Sequence, residues 1–334
     1  MKKNKGNKRL LIYSFILFCI ISFQTACGTI EMSDIPEGTV YYDSDSLQIL
    51  YYKKFQLWQN MQGGAIYKDK LICLMATDEM EGETVNGFIY DLKSGCRIAN
   101  LYFSSKMGDI YFAKPHANQV SFGKKFYSRQ SEFPLLYVSQ VNGGRGAYDI
   151  FGERGVLVYD ITKDKKGFYH PNLVQVIMPD LEDEALMDKL GKYTPNYIVD
   201  TIKQQLIVIG YPDSSWFKLD GPQPIAVLDL PTCTKKEGEQ VVKFRNENVL
   251  DNYRLDRSLG IQQSFIRNNT LYTSCGMHGN GAIRIVDLQS KQVKKVYRLS
   301  TIMEGEPQFF GVWRGRYLFY EAGTGGQFYE FKFK

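Results

Sequence analysis

The feature that most constrains the fold is a unit of four short apolar runs that recurs along the chain. In Ile261–Leu299 these runs are separated by polar or Gly-rich turns, and the third run ends on Asp287. Met61–Phe103 repeats the pattern, since MQGGAIYKDKLICL aligns with IQQSFIRNNTLYTS and GFIYDLKSG with AIRIVDLQS. Four strands joined by tight turns form one twisted antiparallel sheet. Such a sheet buries its apolar faces only against similar sheets, so the repeat predicts stacked units.

Five such units are visible, and together they predict a closed ring. Their inner strands begin near Gln62, His116, Tyr197, Gln262 and Gln308. The last unit lacks its outer strands, which the strand patterns within Thr39–Phe55 can supply, leaving no open sheet edge. The predicted fold is therefore all-β, a β-propeller of four-stranded antiparallel blades with five blades. Six blades, or a β-sandwich of the same strand count, are the alternatives.

One segment between the repeats has a different period. In Pro179–Lys192 the leucines Leu181, Leu186 and Leu190 recur among acidic residues. This spacing predicts a short amphipathic helix inserted between two sheets. The acidic run Glu182–Glu184 suits the first turn of that helix, where negative charge is favoured by the helix dipole.

The N-terminus has the composition of an export signal. A basic head that ends at Arg9 is followed by an apolar run, Leu10–Phe23, and by the small residues around Cys27. The run is shorter than the roughly 20 residues that span a bilayer. We therefore expect a lipoprotein signal at residues 1–26, a tether at 27–38 that carries lipid such as palmitate on Cys27, and a propeller at 39–334. An ordinary cleaved signal and a signal anchor are the alternatives.

Removal of this signal changes the charge balance of the chain. The whole sequence has 41 basic and 36 acidic residues, and the signal contains five of the basic ones and no acidic one. The remainder is electrically balanced, so nucleic-acid binding has no electrostatic support.

Four cysteines remain beyond Cys27, namely Cys73, Cys96, Cys233 and Cys275. An exported compartment permits disulfides, and Cys73 with Cys96 is the favoured pair because both fall in one predicted sheet. A buried free thiol at Cys73 is an equally good interpretation. The cysteine and histidine spacings fit no zinc motif, and no metal or cofactor is predicted.

Candidate site residues are those whose strands converge on the centre of the ring. His116, Gln62, Gln262 and Gln308 begin inner strands and could line one pocket, or they could satisfy backbone groups between blades. His170 and His278 lie in other units. Glu304 and Glu306 flank Gly305 before the last inner strand and could serve acid–base chemistry, with His116 and Glu306 as the catalytic candidates. Trp313 could stack on a sugar ring or pack between blades.

The order of inner strand, turn, LY-type strand and VYDL-type strand resembles the TolB-like and YncE-like propellers of exported bacterial proteins. With the Ala-Cys-Gly sequence at Cys27, the chain looks like a Bacteroidales lipoprotein, which implies the outer membrane of a Gram-negative bacterium. Gln262–Val293 also resembles a segment of plant-type glutaminyl cyclotransferases, which are five-bladed propellers. In that family a Glu in the LYESTG stretch is implicated in catalysis, and here Thr273 occupies its place.

These observations support two functional hypotheses. The first is a non-enzymatic envelope lipoprotein whose propeller binds a partner protein or glycan. It is favoured because the sequence has a lipoprotein signal and no recognisable set of catalytic residues. The second is an enzyme that acts in the channel as a cyclotransferase, lyase or hydrolase. Thr273 in place of the family's Glu favours the first.

Overall fold

The chain folds into five antiparallel sheets arranged as blades around an axis. The computed structural model describes residues 40–42, 47–53, 61–75, 84–112, 115, 117–140, 155–191, 193–211, 222–256, 260–276, 281–299, 305–322 and 327–334. The expected signal and tether, with Cys27, lie outside these residues. No helix in the described part is long and apolar enough to cross a membrane.

The first strands of the chain are β1 (Val40–Tyr42) and β2 (Leu47–Lys53). Blade 1 follows with β3 (Met61–Tyr67), β4 (Lys70–Met75), β5 (Thr84–Asp91) and β6 (Cys96–Ser104). A small hairpin of β7 (Lys106–Met107) and β8 (Ile110–Tyr111) leads to blade 2. That blade contains β9 (Val120–Phe122), β10 (Leu136–Ser139), β11 (Val156–Lys163) and β12 (Tyr169–Pro179).

The second half of the ring begins with helix α1 (Glu184–Leu190). Blade 3 comprises β13 (Tyr193–Asp200), β14 (Gln205–Tyr211), β15 (Gln223–Asp229) and, after the excursion that contains β16 (Gln240–Phe244), β17 (Val249–Leu255). Blade 4 contains β18 (Ile261–Arg267), β19 (Thr270–Cys275), β20 (Ala282–Asp287) and β21 (Gln292–Arg298). Blade 5 contains β22 (Glu306–Trp313), β23 (Arg316–Ala322) and β24 (Gln327–Phe333). The five-bladed propeller predicted from the sequence is thus confirmed.

Strand β2 closes the ring as the outermost strand of blade 5, antiparallel to β24. The prediction that the N-terminal strands complete this blade is right for β2 and wrong for β1. Blade 5 needs one strand only, and β1 instead pairs in parallel with β21 at the outer edge of blade 4. In the same way β16 adds a parallel fifth strand to β12 in blade 2. These additions cover two outer edges that a four-stranded blade leaves unpaired.

The hydrophobic core is divided into five clusters, and each cluster lies between two neighbouring blades. Consecutive side chains of β11 illustrate the reason: Leu157 packs towards blade 1, whereas Val158 packs towards blade 3. Because successive side chains of a strand point to opposite faces, a blade held between two others is buried on both. This explains why middle strands such as β11 and β14 have continuous apolar runs rather than alternating patterns.

Helix α1 is shorter than the predicted 179–192 segment. Asp183 is its N-cap, and its Oδ1 accepts a hydrogen bond from the Leu186 amide at 3.1 Å. Leu186 and Leu190 are buried against blades 2 and 3, while Leu181, which precedes the helix, is 57% exposed. The helix is therefore anchored by two of the three predicted leucines.

The favoured Cys73–Cys96 disulfide is wrong. All four cysteines of the described part are free thiols. Cys73 lies on β4 and Cys96 on β6, with β5 between them, so two strand spacings alone separate their backbones by about 10 Å, and the register places Cys73 level with Asn100 rather than with Cys96. A disulfide needs Cα atoms within about 7 Å. Cys73 is the buried thiol that the alternative interpretation expected, and its Sγ lies 3.7 Å from the Phe88 carbonyl oxygen.

Aspartates that recur in the third strand of the blades have two different environments. In blade 4, Asp287 accepts hydrogen bonds from the backbone amides of Gln289 and Ser290, which lower its carboxyl pKa. In blade 2 the strand continues past Asp160, which is only 4% exposed, and burial raises its pKa against the hydrogen bond from Ser131. Repetition of one residue type thus produces pKa shifts of opposite sign.

We predict that Asp160→Asn raises the melting temperature at pH 7. The folded state holds the Asp160 proton more tightly than the unfolded state, so this group's contribution is full below its ordinary pKa and is lost as the pH rises through the raised one. Thermal unfolding at pH 4 to 7.5 measures the effect, which should shrink towards pH 4. Asp287→Asn is the matched control and should lower the melting temperature at pH 7, because it removes a carboxylate that the backbone hydrogen bonds of the folded state stabilise. The contribution of the Asp287 carboxylate is lost as the pH falls. An unchanged or lower melting temperature for Asp160→Asn at pH 7 would contradict the assignment.

Candidate functional site: amides at the centre of the ring

A bulge recurs near the start of the inner strands. The register with the second strand slips between Met61 and Gly63 in blade 1 and between Ile261 and Gln263 in blade 4, so that Gln62 and Gln262 are the extra residues. Equivalent slips occur at Glu306–Phe309 in blade 5 and at Tyr193–Asn196 in blade 3. A bulge re-aims a side chain and is common beside binding sites. The bulges place Gln62, Gln262 and Gln308 at one level of three blades, and in blade 3 Asn196, which pairs with Ile209, directly follows the slip.

Blade 2 supplies its amides without a bulge. Asn118 and Gln119 precede β9 and are 3% and 0% exposed. Ala117, just before them, has a φ of 63°, a left-handed conformation that is rare for a residue with a side chain. Its carbonyl oxygen approaches Gly63 so closely that a Cβ there would lie 2.0 Å away. Gly63 therefore lets the backbone of blade 1 meet that of blade 2, beside Gln62.

Two pairs of hydrogen bonds join blades 2 and 4 across the centre, although blade 3 lies between them in the ring. The Gln119 amide accepts from the Ser264 backbone N–H at 2.7 Å and donates to the Ser264 carbonyl at 2.9 Å. Reciprocally, the Gln263 amide accepts from the Val120 N–H at 3.4 Å and donates to the Val120 carbonyl at 2.8 Å. We call these the cross-ring amide pairs. They fill the centre at this level, because all four residues are buried.

A third bond across the centre joins two side chains. Asn118 Nδ2 donates to Gln262 Oε1 at 3.0 Å, and Gln262 Nε2 donates to the Gly276 carbonyl at 3.4 Å. Blade 5 is linked to blade 4 through Ser274 Oγ, which donates to the Pro307 carbonyl at 2.8 Å. The centre is thus a buried hydrogen-bonded network of amides and hydroxyls.

Of the residues predicted to line the pocket, Gln62, Gln262 and Gln308 lie around this network. Glu306 begins β22 at the same end, is half-buried, and accepts a hydrogen bond from Gln308 Nε2. His116, His278 and Glu304 lie outside the described residues. His170 is remote from the centre, in the turn between β11 and β12, where its Nε2 lies 3.1 Å from Asp164 Oδ2.

Trp313 is also placed away from the central amides. It ends β22 at the opposite end of blade 5, and its Nε1 donates to Asp69 Oδ1 of blade 1 at 3.1 Å. Arg314 and Lys93 contact the same carboxylate at 2.9 Å each, and these donors, with Lys93 the strongest, lower the pKa of Asp69 to about 2. These contacts join the β22–β23 turn of blade 5 to the β3–β4 turn of blade 1.

Sequence reasoning missed Asn118, Gln119, Gln263 and Ser264, which make the cross-ring contacts. A signal for them was present, because paired amides occur twice at the start of an inner strand, as Asn118-Gln119 just before β9 and as Gln262-Gln263 within the first residues of β18. In the described part, no group of three or more His, Cys, Asp or Glu residues could hold a metal ion.

Comparison with known proteins does not assign a family to the chain. No family model and no curated protein matches the chain. Among solved structures, glutaminyl cyclase from Myxococcus xanthus is 10% identical, with a TM-score of 0.47, and the match covers 88% of this chain and 97% of that one. Aldose sugar dehydrogenase with bound PQQ, from Streptomyces coelicolor, is 10% identical, with a TM-score of 0.46 and coverages of 86% and 97%. Such distant similarity carries no argument about activity.

We predict that Gln119→Leu destabilises the propeller. The substitution leaves the Ser264 N–H buried without its acceptor, whereas the Ser264 carbonyl keeps a weaker bond from Gln263 Nε2 at 3.4 Å. An unsatisfied buried donor costs about 1–3 kcal/mol, so we expect the free energy of unfolding to fall by about 2 kcal/mol in urea titrations. Gln289→Leu, in an exposed turn of blade 4, is the control and should leave it unchanged. Equal stability of the two variants would show that the cross-ring pairs contribute little.

Proposed function

We propose that the chain is a membrane-tethered envelope protein whose propeller binds a partner protein or glycan without catalysis. The observation that carries this proposal is the filled centre, where the cross-ring amide pairs occupy the space in which a channel enzyme would hold its substrate. Side chains at that level are amides and hydroxyls, which bind by hydrogen bonds and are not by themselves nucleophiles or general bases. A catalytic role would need His116 beside Glu306 at the mouth of the ring.

Binding then falls to the outer surface of the end at which the inner strands begin, which we call the loop end. Connections from outer strands to the next inner strand, and from second to third strands, all lie there. The β7–β8 hairpin is the best described of these connections, and it exposes Ile110 (50%) and Tyr111 (48%). The Lys106 ammonium lies 4.7 Å from the centre of the Tyr111 ring. An exposed apolar pair with an adjacent cation is suited to contact with a protein or with a sugar ring.

We predict that substitution of Ile110 and Tyr111 together by Ser weakens binding at least tenfold. The measurement is affinity for whatever is captured by the full-length protein in envelope cross-linking or on a glycan array. Ile202→Ser is the matched control, because Ile202 is equally apolar and 73% exposed but lies in the β13–β14 turn at the opposite end. Equal affinity of the two variants would exclude the hairpin, and turnover of a captured ligand that depends on His116 would establish the enzyme hypothesis instead.

We also propose that Cys27 is lipidated and tethers the propeller to the outer membrane of a Gram-negative bacterium. The basic head, the short apolar run and the Ala-Cys-Gly sequence support this proposal. Lipid chains on the residue that follows the signal would hold the domain at the bilayer surface.

For the tether we predict that Cys27→Ser abolishes incorporation of a clickable palmitate analogue and moves the protein into the soluble fraction. Cys96→Ser is the control, since it removes an exposed thiol of blade 1 and should leave both labelling and fractionation unchanged. Labelling that persists in Cys27→Ser would contradict lipidation at this position.

A further inference from the structure

Three amide oxygens near the starts of the inner strands have no hydrogen-bond donor among the residues that the structure describes. They are Gln62 Oε1, Asn118 Oδ1 and Gln308 Oε1, and each belongs to a side chain that is at least nine-tenths buried. A buried acceptor without a partner costs about 1–3 kcal/mol. Three such atoms in one region of the ring call for an occupant that satisfies them.

The hydrogen-bond network fixes which atom of two of these amides is the oxygen. Gln262 Nε2 donates to the Gly276 carbonyl, so Gln262 Oε1 must accept, and the Asn118 atom that faces it at 3.0 Å must be the nitrogen. Asn118 Oδ1 is therefore the unpaired atom. In Gln308 the nitrogen is the atom that faces the Glu306 carboxylate, which leaves Oε1 unpaired. Exchange of oxygen and nitrogen would break these bonds.

The topology brings the three residues to one end of the central axis. Gln62 occupies the bulge next to Gly63, whose Cα faces the Ala117 and Asn118 carbonyls. Asn118 reaches the centre, since it bonds to Gln262 of blade 4. Gln308 follows Pro307, which is bonded to Ser274 of the same blade 4. Glu306 adds a carboxylate beside Gln308.

The site offers only oxygen ligands, namely three neutral amide oxygens and the charged carboxylate of Glu306. Such a ligand set is the one that hard cations prefer. Size points the same way, because the three oxygens have almost no surface that a water molecule can reach. Calcium lies about 2.3–2.6 Å from its oxygen ligands, closer than the roughly 2.7–3.0 Å of a water hydrogen bond. Magnesium usually retains several waters, for which these oxygens leave no room.

We propose that Gln62, Asn118, Gln308 and Glu306 bind a calcium ion at the loop end of the central axis. The ion would join blades 1, 2 and 5 on the loop-end side of the cross-ring amide pairs, since Asn118 and Gln262 each precede the residue that makes such a pair, Gln119 and Gln263. Its role is independent of what the loop end binds, so failure of the proposed binding function would not affect it.

The test is thermal unfolding of the full-length protein in detergent, after chelator treatment, with calcium, magnesium or sodium added. With one carboxylate the site resembles weak extracellular sites, with dissociation constants of about 0.1–1 mM. We expect 10 mM calcium to raise the melting temperature by about 2–5 °C. Equilibrium dialysis should show one bound calcium ion per chain. Magnesium at the same concentration should have a smaller effect.

Gln62→Met is the informative variant, because the Gln62 oxygen makes no other hydrogen bond and the substitution keeps the side-chain volume. It should fold, match or exceed wild-type stability in chelator, and lose at least half of the calcium-dependent shift. Gln175→Met is the control: its Oε1 is also buried and unpaired, but it lies on β12 away from the centre, so the calcium shift should be retained. No calcium shift in the wild type, an equal shift with magnesium, a shift with sodium only, or a full calcium shift in Gln62→Met would each overturn the proposal.

Discussion

The cross-ring bonds between Gln119 and Ser264, and between Gln263 and Val120, are the contacts on which the centre of the ring depends. Each side-chain amide accepts a hydrogen bond from the N–H and donates one to the C=O of the same residue. That residue lies on the inner strand of a blade that is not adjacent in the ring. An inner strand has one edge paired within its blade and the other facing the axis. The backbone groups of that edge would be buried without partners if the amides were absent. The amides thus provide the hydrogen-bond partners that a neighbouring strand would supply if the inner strand were not at the edge of its sheet.

The same need for satisfied edges governs the outside of the ring. Strand β2 supplies the last strand of blade 5, while β1 and β16 cover the outer edges of blades 4 and 2. At the opposite end from the amides, Asp69 receives Trp313 and Arg314 from the neighbouring blade, so first and last blades are joined by side chains as well as by a shared apolar cluster. Closure is therefore distributed over backbone pairing, apolar packing and the half-buried Asp69 carboxylate, and no single one of them holds the ring.

Much of the fold could be predicted because the blades repeat one order of short apolar strands and polar turns. The alignment of Met61–Tyr67 with Ile261–Arg267 is reproduced down to the position of the bulge, since a polar residue after one apolar residue serves the same purpose in both. Partners across the ring could not be predicted, because Gln119 and Ser264 are far apart in sequence and belong to non-adjacent blades. The Cys73–Cys96 pairing failed for a related reason: shared membership of a sheet does not place two residues on neighbouring strands.

Thr273 connects the enzyme-like appearance of blade 4 with its structural role. It occupies the place of a Glu implicated in catalysis in the cyclotransferase pattern, and its Oγ1 accepts a hydrogen bond from Ser264 Oγ at 3.0 Å. Ser264 is also the residue that Gln119 holds from across the ring, and Thr273 is only 2% exposed. A carboxylate at this position would have to be buried against a hydroxyl without a cation from the described network to pair with it, which is costly. The short hydroxyl pair suits a scaffold, because it completes the network that keeps the inner strands of blades 2 and 4 together.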